Sequence, residues 1–434
     1  MDQLLPIFNT LWVIIVRILN EFWWILLPVV LFNIFVELYK SYAKELKKKE
    51  FKPVYFELKF SEEASMKPLQ FMELFFSNIK NIKLADDQNI SFEIVGIDNQ
   101  LKYFIRLPEK IKDLVTITLH AQYPDINLIP GEDYFLRVSP NIPNNEYSFW
   151  AKEFKYKKAN PFPILTYDNF YNNKDKMRKT ISEASSYDPL SVIIELFNSM
   201  KREDIVCLQI MIRNFNDEEK AAWELESKTL YNPLVGKEAP KKPAPASSAF
   251  SKTLTEFFNG VIPLIVYPPE VKKEEKPKTS TEIEKEAVKL IENKINNSNY
   301  VTNLRLSYVS TKKDFNDFIP STFEMFIKQY NTSFANSFEE IKDPRKWYKN
   351  WVKLRDKFFP QISNRLTHLM FEKTVGRKKA EKGFVMSAKE LTSLFHFPFQ
   401  NVYISSVVME KNKKGAPPPN LPFIQNVEEE ETDI

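Results

Sequence analysis

Ile90-Ser91-Phe92-Glu93-Ile94-Val95-Gly96-Ile97-Asp98-Asn99-Gln100-Leu101-Lys102-Tyr103-Phe104-Ile105-Arg106-Leu107-Pro108 decides the fold. Ile90 to Ile97 and Leu101 to Leu107 are apolar-rich runs of strand length, and Asp98-Asn99-Gln100 between them is a hairpin signal. Upstream, Val54 to Phe60 reads as a strand with Val54, Phe56, Leu58 and Phe60 on one face. Pro68 then opens a helix that carries Leu69, Met72, Phe75, Phe76 and Ile79 at helical spacing. Downstream, Pro108 starts a second helix with Ile111, Leu114, Val115 and Leu119 expected inward, and Asp125 to Ile129 is a short strand ending at Pro130. The order is β-α-β-β-α-β, the ferredoxin-like, split-βαβ arrangement, over residues 50–140.

A related grammar returns in residues 145–340. Phe149 to Lys157 reads as a strand, and Asp188-Pro189 starts a helix with Asp as cap and Pro at the first position. Ile205 to Arg213 is a strand with Val206, Leu208, Ile210 and Ile212 on one face, followed by a helix from Asp217. Residues 232–280 are rich in Pro, Lys, Glu, Ser and Ala and read as a linker. Beyond it come a helix with Ile283, Ala287, Leu290, Ile291 and Lys294, a strand from Tyr300 to Val309, and a helix from Ser321 to Tyr330. The expected fold class is α+β, with a second, related α+β domain at 145–231 and 281–340, split by the linker.

Residues 1–45 read as a membrane anchor. Phe22 to Phe32 holds no charge and extends to Val36, close to the ~20 apolar residues of a spanning helix. Trp23 and Trp24 suit an interface, with Leu26, Leu27, Val29 and Leu31 in the apolar core. A secretory signal peptide fits less well, since no basic residue precedes the run and no small-residue cleavage site follows it. Lys40, Lys44, Lys47, Lys48 and Lys49 follow the run, whereas Met1 to Thr10 has no Lys or Arg, which places everything after residue 40 in the cytoplasm. Leu4 to Leu19 leaves two readings open, a second pass or an interfacial helix. The expected location is the cytoplasmic membrane, single-pass, with lipid as a partner.

Composition then narrows the chemistry. The 434 residues carry 61 Lys+Arg and 57 Asp+Glu, so the chain as a whole is no basic nucleic-acid coat. Only 7 are Gly, far below the usual ~7%, where phosphate cradles need glycine for backbone approach. Gly236-Lys237 has Tyr231 where a Walker loop needs its first glycine. The single Cys excludes a disulfide framework. Cys207 reads as a small core residue, and His120 as a partly buried structural one. His368 and His396 belong to no HExxH or carboxylate–His pattern, and no G-x-S-x-G occurs. No cofactor, metal or small-molecule substrate is expected, and no enzymatic activity.

Residues 341–410 read as a basic helical segment and 411–434 as a Pro-rich linker with an acidic tail. Residues 342–382 hold 13 Lys/Arg against 4 Asp/Glu, a balance of +9, leaving −5 for the remainder. Lys346, Lys349, Lys353, Arg355 and Lys357 interleave with Trp347, Tyr348, Trp351, Phe358 and Phe359, and Arg377, Lys378 and Lys379 follow. Such a pattern can bind nucleic acid by phosphate contact and base stacking. It equally suits helices whose aromatics enter the core while lysines stay solvated, the preferred reading, and anionic lipid is a third target.

Several phrases carry a resemblance. They are Ile90 to Asp98 with Leu101 to Pro108 and Ala121-Gln122-Tyr123-Pro124-Asp125; Val206 to Arg213 after Asp188-Pro189-Leu190; Leu304 to Val309; and Met386 to Pro398. Over residues 50–422 the chain resembles the N-terminal, non-ATPase region of membrane proteins in conjugation or type IV secretion-like loci of candidate-phyla (Patescibacteria-type) bacteria. In that family the region precedes a P-loop ATPase of the DNA-translocase type, and a phrase like Ala416 to Pro422 leads into it. Here that phrase is followed by an acidic tail, so the resemblance implies an ATPase encoded separately or lost, and it carries over no catalytic residue. The expected role is a non-catalytic membrane-anchored scaffold or adaptor that partners a translocase ATPase and other secretion-machine subunits. The alternative is a membrane-tethered nucleic-acid-binding protein that uses residues 342–382, with DNA as partner.

Overall fold

The computed structural model describes residues 52–82, 84, 88–171, 188–235, 237, 282–332, 335–341, 360–378 and 383–398, with isolated positions between 31 and 39. The expected linker from residue 238 on, residues 342–359 and the tail lie outside them, and the linker's first residues, 232–234, continue a helix. Residues 1–53 and 54–434 form two compact units. In the first, Leu31, Phe32, Phe35, Leu38 and Tyr39 are helical with exposed side chains. Trp23, Trp24, Leu26, Leu27 and Val29 fall outside the described residues. Among the described residues no helix is long and apolar enough to cross a membrane.

In the second unit, β1 (Pro53–Lys59), α1 (Glu62–Met66), α2 (Gln70–Ile79), β2 (Ile90–Ile97), β3 (Gln100–Pro108), α3 (Lys112–Gln122) and β4 (Asn127–Gly131) come first. Asp98 and Asn99 turn β2 into β3 with φ of 55° and 57°, the left-handed pair that matches the twist of a tight hairpin. β5 (Tyr147–Tyr156), α4 (Tyr167–Tyr171), α5 (Ser191–Asn198), β6 (Ile205–Arg213), α6 (Asp217–Leu234), α7 (Glu282–Asn296), β7 (Asn299–Thr311), α8 (Phe318–Lys328) and β8 (Phe338–Glu340) follow. The chain then adds α9 (Pro360–Val375), β9 (Phe384–Ser387) and α10 (Ala388–Leu394).

The strands make one sheet in the order β4-β1-β3-β2-β6-β7-β5-β8. In the first half β3 separates β1 from β2, and β1 separates β4 from β3, so each βαβ crossover is split by a strand of the other. The second half repeats this order in reverse, β6-β7-β5-β8. The halves therefore do not part into separate bodies: β2 and β6 pair antiparallel from Ile90↔Ile212 to Gly96↔Val206, and the sheet runs continuously about a pseudo-twofold axis between them. β9 extends the same edge of β7 that β5 occupies, pairing Asn299–Thr302 where β5 pairs Leu304–Thr311.

Period-2 alternation gives the sheet two buried faces. Phe92, Ile94, Tyr103, Ile105, Leu208, Ile210, Leu304 and Leu306 join the main core, covered by α2 (Phe75, Phe76), α3 (Val115, Leu119), α5 (Ile193, Phe197) and α8 (Phe323, Phe326). Val95, Ile97, Cys207 and Val309 point the other way, into a second cluster with Tyr134, Phe135 and Phe371 of α9. Leu114 departs from its expected inward position and is 50% exposed. A 3-10 turn at Glu109–Ile111 precedes α3, so Ile111, Val115 and Leu119 take the inward stripe without it.

The expected basic helical segment 341–410 is corrected most. It contains α9 on one face of the sheet, β9 in the sheet and α10 on the other face, the last with Ala388 and Glu390–Leu394 all buried. Phe395 and Phe397 insert among Phe76, Phe92, Tyr103 and Tyr123 with ring centroids 5.2–6.4 Å apart. Burying several aromatic rings here stabilises the fold by roughly 1.5–3 kcal/mol each. This stretch is core.

A candidate site: two arginines under the sheet

Of the basic residues expected to contact nucleic acid or a partner, Lys346, Lys349, Lys353, Arg355, Lys357 and Lys379 lie outside the described residues. Lys378 is exposed, 3.8 Å from Glu372. Arg377 is a correction: it is fully buried and faces protein carboxylates, not solvent.

The reason lies in how α9 ends. The Lys378 N–H donates to Lys373 O (2.9 Å) and the Arg377 N–H to Thr374 O (3.1 Å), the paired bonds of a Schellman cap. That cap needs a left-handed residue, normally Gly, and here Arg377 holds φ 47°. The strain of a side chain in this region, about 1–2 kcal/mol, is offset by what its guanidinium reaches. Its Nε and Nη2 donate to Glu93 Oε1 and Oε2 (2.9 and 3.0 Å). It also donates to Asp133 and to Val375 O, and its Cζ lies 5.2–5.3 Å from the ring centroids of Tyr55, Tyr134 and Phe135. Ser91 and Tyr134 hydroxyls complete the shell of Glu93 at 2.6 and 2.8 Å.

Glu93 belongs to one rung of directly opposed residues that crosses the sheet, Phe104–Glu93–Gln209–Arg305–Glu153. Arg305, also fully buried, donates to Glu153 Oε1 (2.6 Å) and Gln209 Oε1 (3.2 Å). It further donates to the carbonyls of Lys373 (2.9 Å) and Lys378 (2.8 Å), while Gln209 Nε2 donates to Thr374 O. The last carbonyls of a helix lack intrahelical partners and carry the negative end of its dipole. Here two buried guanidiniums supply the donors and the charge, and Lys373 closes the circuit to Glu153. Burial pushes the Glu93 and Glu153 carboxyls up, but Arg377 with its hydrogen bonds, and Arg305 with Lys373, outweigh it, so both lie below the ordinary glutamate value. Cys207 sits beside this cluster, 2.9 Å from Tyr134 Oη, and burial holds its thiol well above the usual range.

The other face has its own buried pairs. Glu390, capping α10 through Ser387, meets Lys294 at 3.0 Å, Tyr156 Oη at 2.8 Å and the Ile164 N–H at 3.0 Å. His396 bridges Asp188 (3.1 Å) and Thr392 O (2.8 Å). His120, expected partly buried, is exposed, with Nε2 3.0 Å from Ile126 O, and His368 Nδ1 lies 2.9 Å from Ile142 O. Among the described residues no group of His, Cys, Asp and Glu is placed to hold a metal ion.

Each of these ionic groups ties the C-terminal segment to strands or helices more than 60 residues away in sequence. Chemically the arrangement is a clamp, which fixes α9 beneath the seam of the two halves and α10 above it. Sequence reasoning passed over Glu93, Glu153, Gln209 and Arg305. Their signal was a charged or amide residue in the middle of an otherwise apolar strand, which has to find a buried partner. No protein-family model matches this chain, and no curated protein does.

Proposed function

We propose that this chain is a non-catalytic, membrane-anchored scaffold or adaptor of a conjugation or type IV secretion-like translocation machine. In this reading its body of two ferredoxin-like repeats stands on the cytoplasmic side and partners a separately encoded ATPase. One observation carries the reading: the interior charges Glu93, Arg377, Glu153, Arg305, Glu390 and Lys294 are engaged with one another and with backbone, holding a rigid platform. The resemblance over residues 50–422 supplies the kind of machine, and the lysines after the apolar run supply the orientation. Arg377 being committed to Glu93 also favours the scaffold over nucleic-acid binding by 342–382.

Co-purification from solubilised membranes tests it. The acidic tail must be cut after Pro398, because a shorter chain would lose β9 and α10. A translocase ATPase recovered with the full chain supports the reading; recovery lost on cutting after Pro398 places the docking site in 399–434. A chain that brings down no ATPase from its native membranes ends it.

A further inference from the structure

Where the first half has the hairpin turn Asp98–Asn99, the second has α6 and α7 between β6 and β7, and α6 with the end of α7 walls a cavity of about 410 Å³. That lies within the 300–1,000 Å³ of small-molecule sites. On α6, Lys220, Trp223, Ser227 and Tyr231 recur at three- and four-residue spacing and so line it along one face. Trp223 is buried, and its ring lies nearly parallel to Phe215, 16° between planes and 6.2 Å between centroids. The wall is therefore aromatic.

Its charge is positive. Lys80, at the end of α2, stands 4.6 Å over Phe215 and 4.8 Å over Tyr300. One of its three donors goes to Asn299 O, which leaves two. Burial, and then the neighbouring Lys220, bring its pKa down to about 8. Lys228 adds a third lysine, offset by Glu224 at 3.9 Å.

The lining thus asks for a molecule with an anionic group and a planar apolar face. We propose that this cavity binds a nucleoside phosphate, either free or as a nucleotide of a single strand. The phosphate lies against Lys80 and Lys220, and the base covers the Trp223 wall. Lysine and aromatic contacts of this kind do not need a glycine cradle.

Isothermal titration of the solubilised full chain tests the assignment with adenosine monophosphate, uridine monophosphate, adenosine and inorganic phosphate. Adenosine monophosphate and uridine monophosphate should both bind, and adenosine and inorganic phosphate at least about tenfold more weakly, the one lacking the phosphate and the other the base. Lys220→Gln, an exposed position, should weaken binding about tenfold with an unchanged circular dichroism spectrum. An oligodeoxyadenylate of about ten nucleotides that binds far more tightly than the monophosphate assigns a single strand; equal affinity assigns the free nucleotide. No binding of adenosine monophosphate or the oligonucleotide at millimolar concentration overturns the proposal. So does adenosine or inorganic phosphate matching adenosine monophosphate, or Lys220→Gln leaving affinity intact. None of these outcomes depends on the scaffold reading.

Discussion

Arg377→Met separates a clamp from a phosphate contact. The substitution keeps the side chain's bulk and removes the donors that reach Glu93 at 2.9 and 3.0 Å, so a carboxylate with no solvent exposure loses its counter-charge. Breaking a buried pair from one side costs about 3–5 kcal/mol, here toward the lower end because Ser91 and Tyr134 still donate to Glu93. Urea midpoints followed by circular dichroism on the solubilised chain give the magnitude. The sign of the pH dependence gives the mechanism. In the native protein Glu93 lies below the ordinary glutamate value, so its contribution is complete above that value and is lost as pH falls through the folded-state pKa. In Arg377→Met burial is left to act alone and pushes the carboxyl up. The native protein should therefore lose this stability only below about pH 4.5, whereas the variant's deficit should already narrow as pH falls from neutral toward that value. Adding Glu93→Gln should recover most of the loss. Lys378→Ala, exposed, should stay within about 0.5 kcal/mol. A loss below about 1 kcal/mol for Arg377→Met, or weaker nucleic-acid binding at an unchanged midpoint, would refute the clamp.

Two further predictions concern the seam. A Cβ on Gly96 would meet the buried Phe197 ring at 2.8 Å and Met200 Sδ at 2.9 Å, so Gly96→Ala should cost about 1–3 kcal/mol, and an unshifted urea midpoint would show that α5 yields there without cost. Cys207, buried and with its thiol held protonated, should resist thiol reagents in the native protein and react once in denaturant; native-state labelling at the rate of a free thiol would remove it from the interior.

The strand grammar was legible because its signals are local. Period-2 alternation in Val206 to Ile212 and the Asp98–Asn99 turn each report on neighbours within a few residues, and both match the structure. Lys294 was named on its helix, but not as a buried residue, and its partner Glu390 stands 96 residues later. What failed was non-local. Nothing near Gly376-Arg377-Lys378 distinguishes the buried cation from the exposed one, since the partners of Arg377 stand 284 and 244 residues earlier in the chain. The Met386–Pro398 stretch was quotable but not readable as core, because its polar residues look solvated until Glu390 finds Lys294 and His396 finds Asp188. One local cue did exist there: Ser387 and Glu390 stand at the spacing of a capping box, which opens α10.

The departures from twofold repetition show where function would be added to such a body. The two halves share a strand order and meet at β2 and β6 as equals, so neither half's sheet sets it apart. Asymmetry enters at two places. The first is the C-terminal segment, whose Arg377 is inserted against Glu93 of the first half while the carbonyls of its turn receive Arg305 of the second; it locks the halves together and gives the seam its rigidity. The second is the β6–β7 connection, where a short turn would suffice for pairing, as β2–β3 demonstrates. Among its described residues, the helix pair placed there contributes the buried Ile291 and Trp223, and Lys294 to the pair with Glu390. It also brings Lys220, Ser227 and Trp223 to face Lys80 and Asn299. Rigidity and recognition are thus assigned to different departures from the repeat, and Arg377→Met and Lys220→Gln separate them: the first should lower stability, the second only affinity.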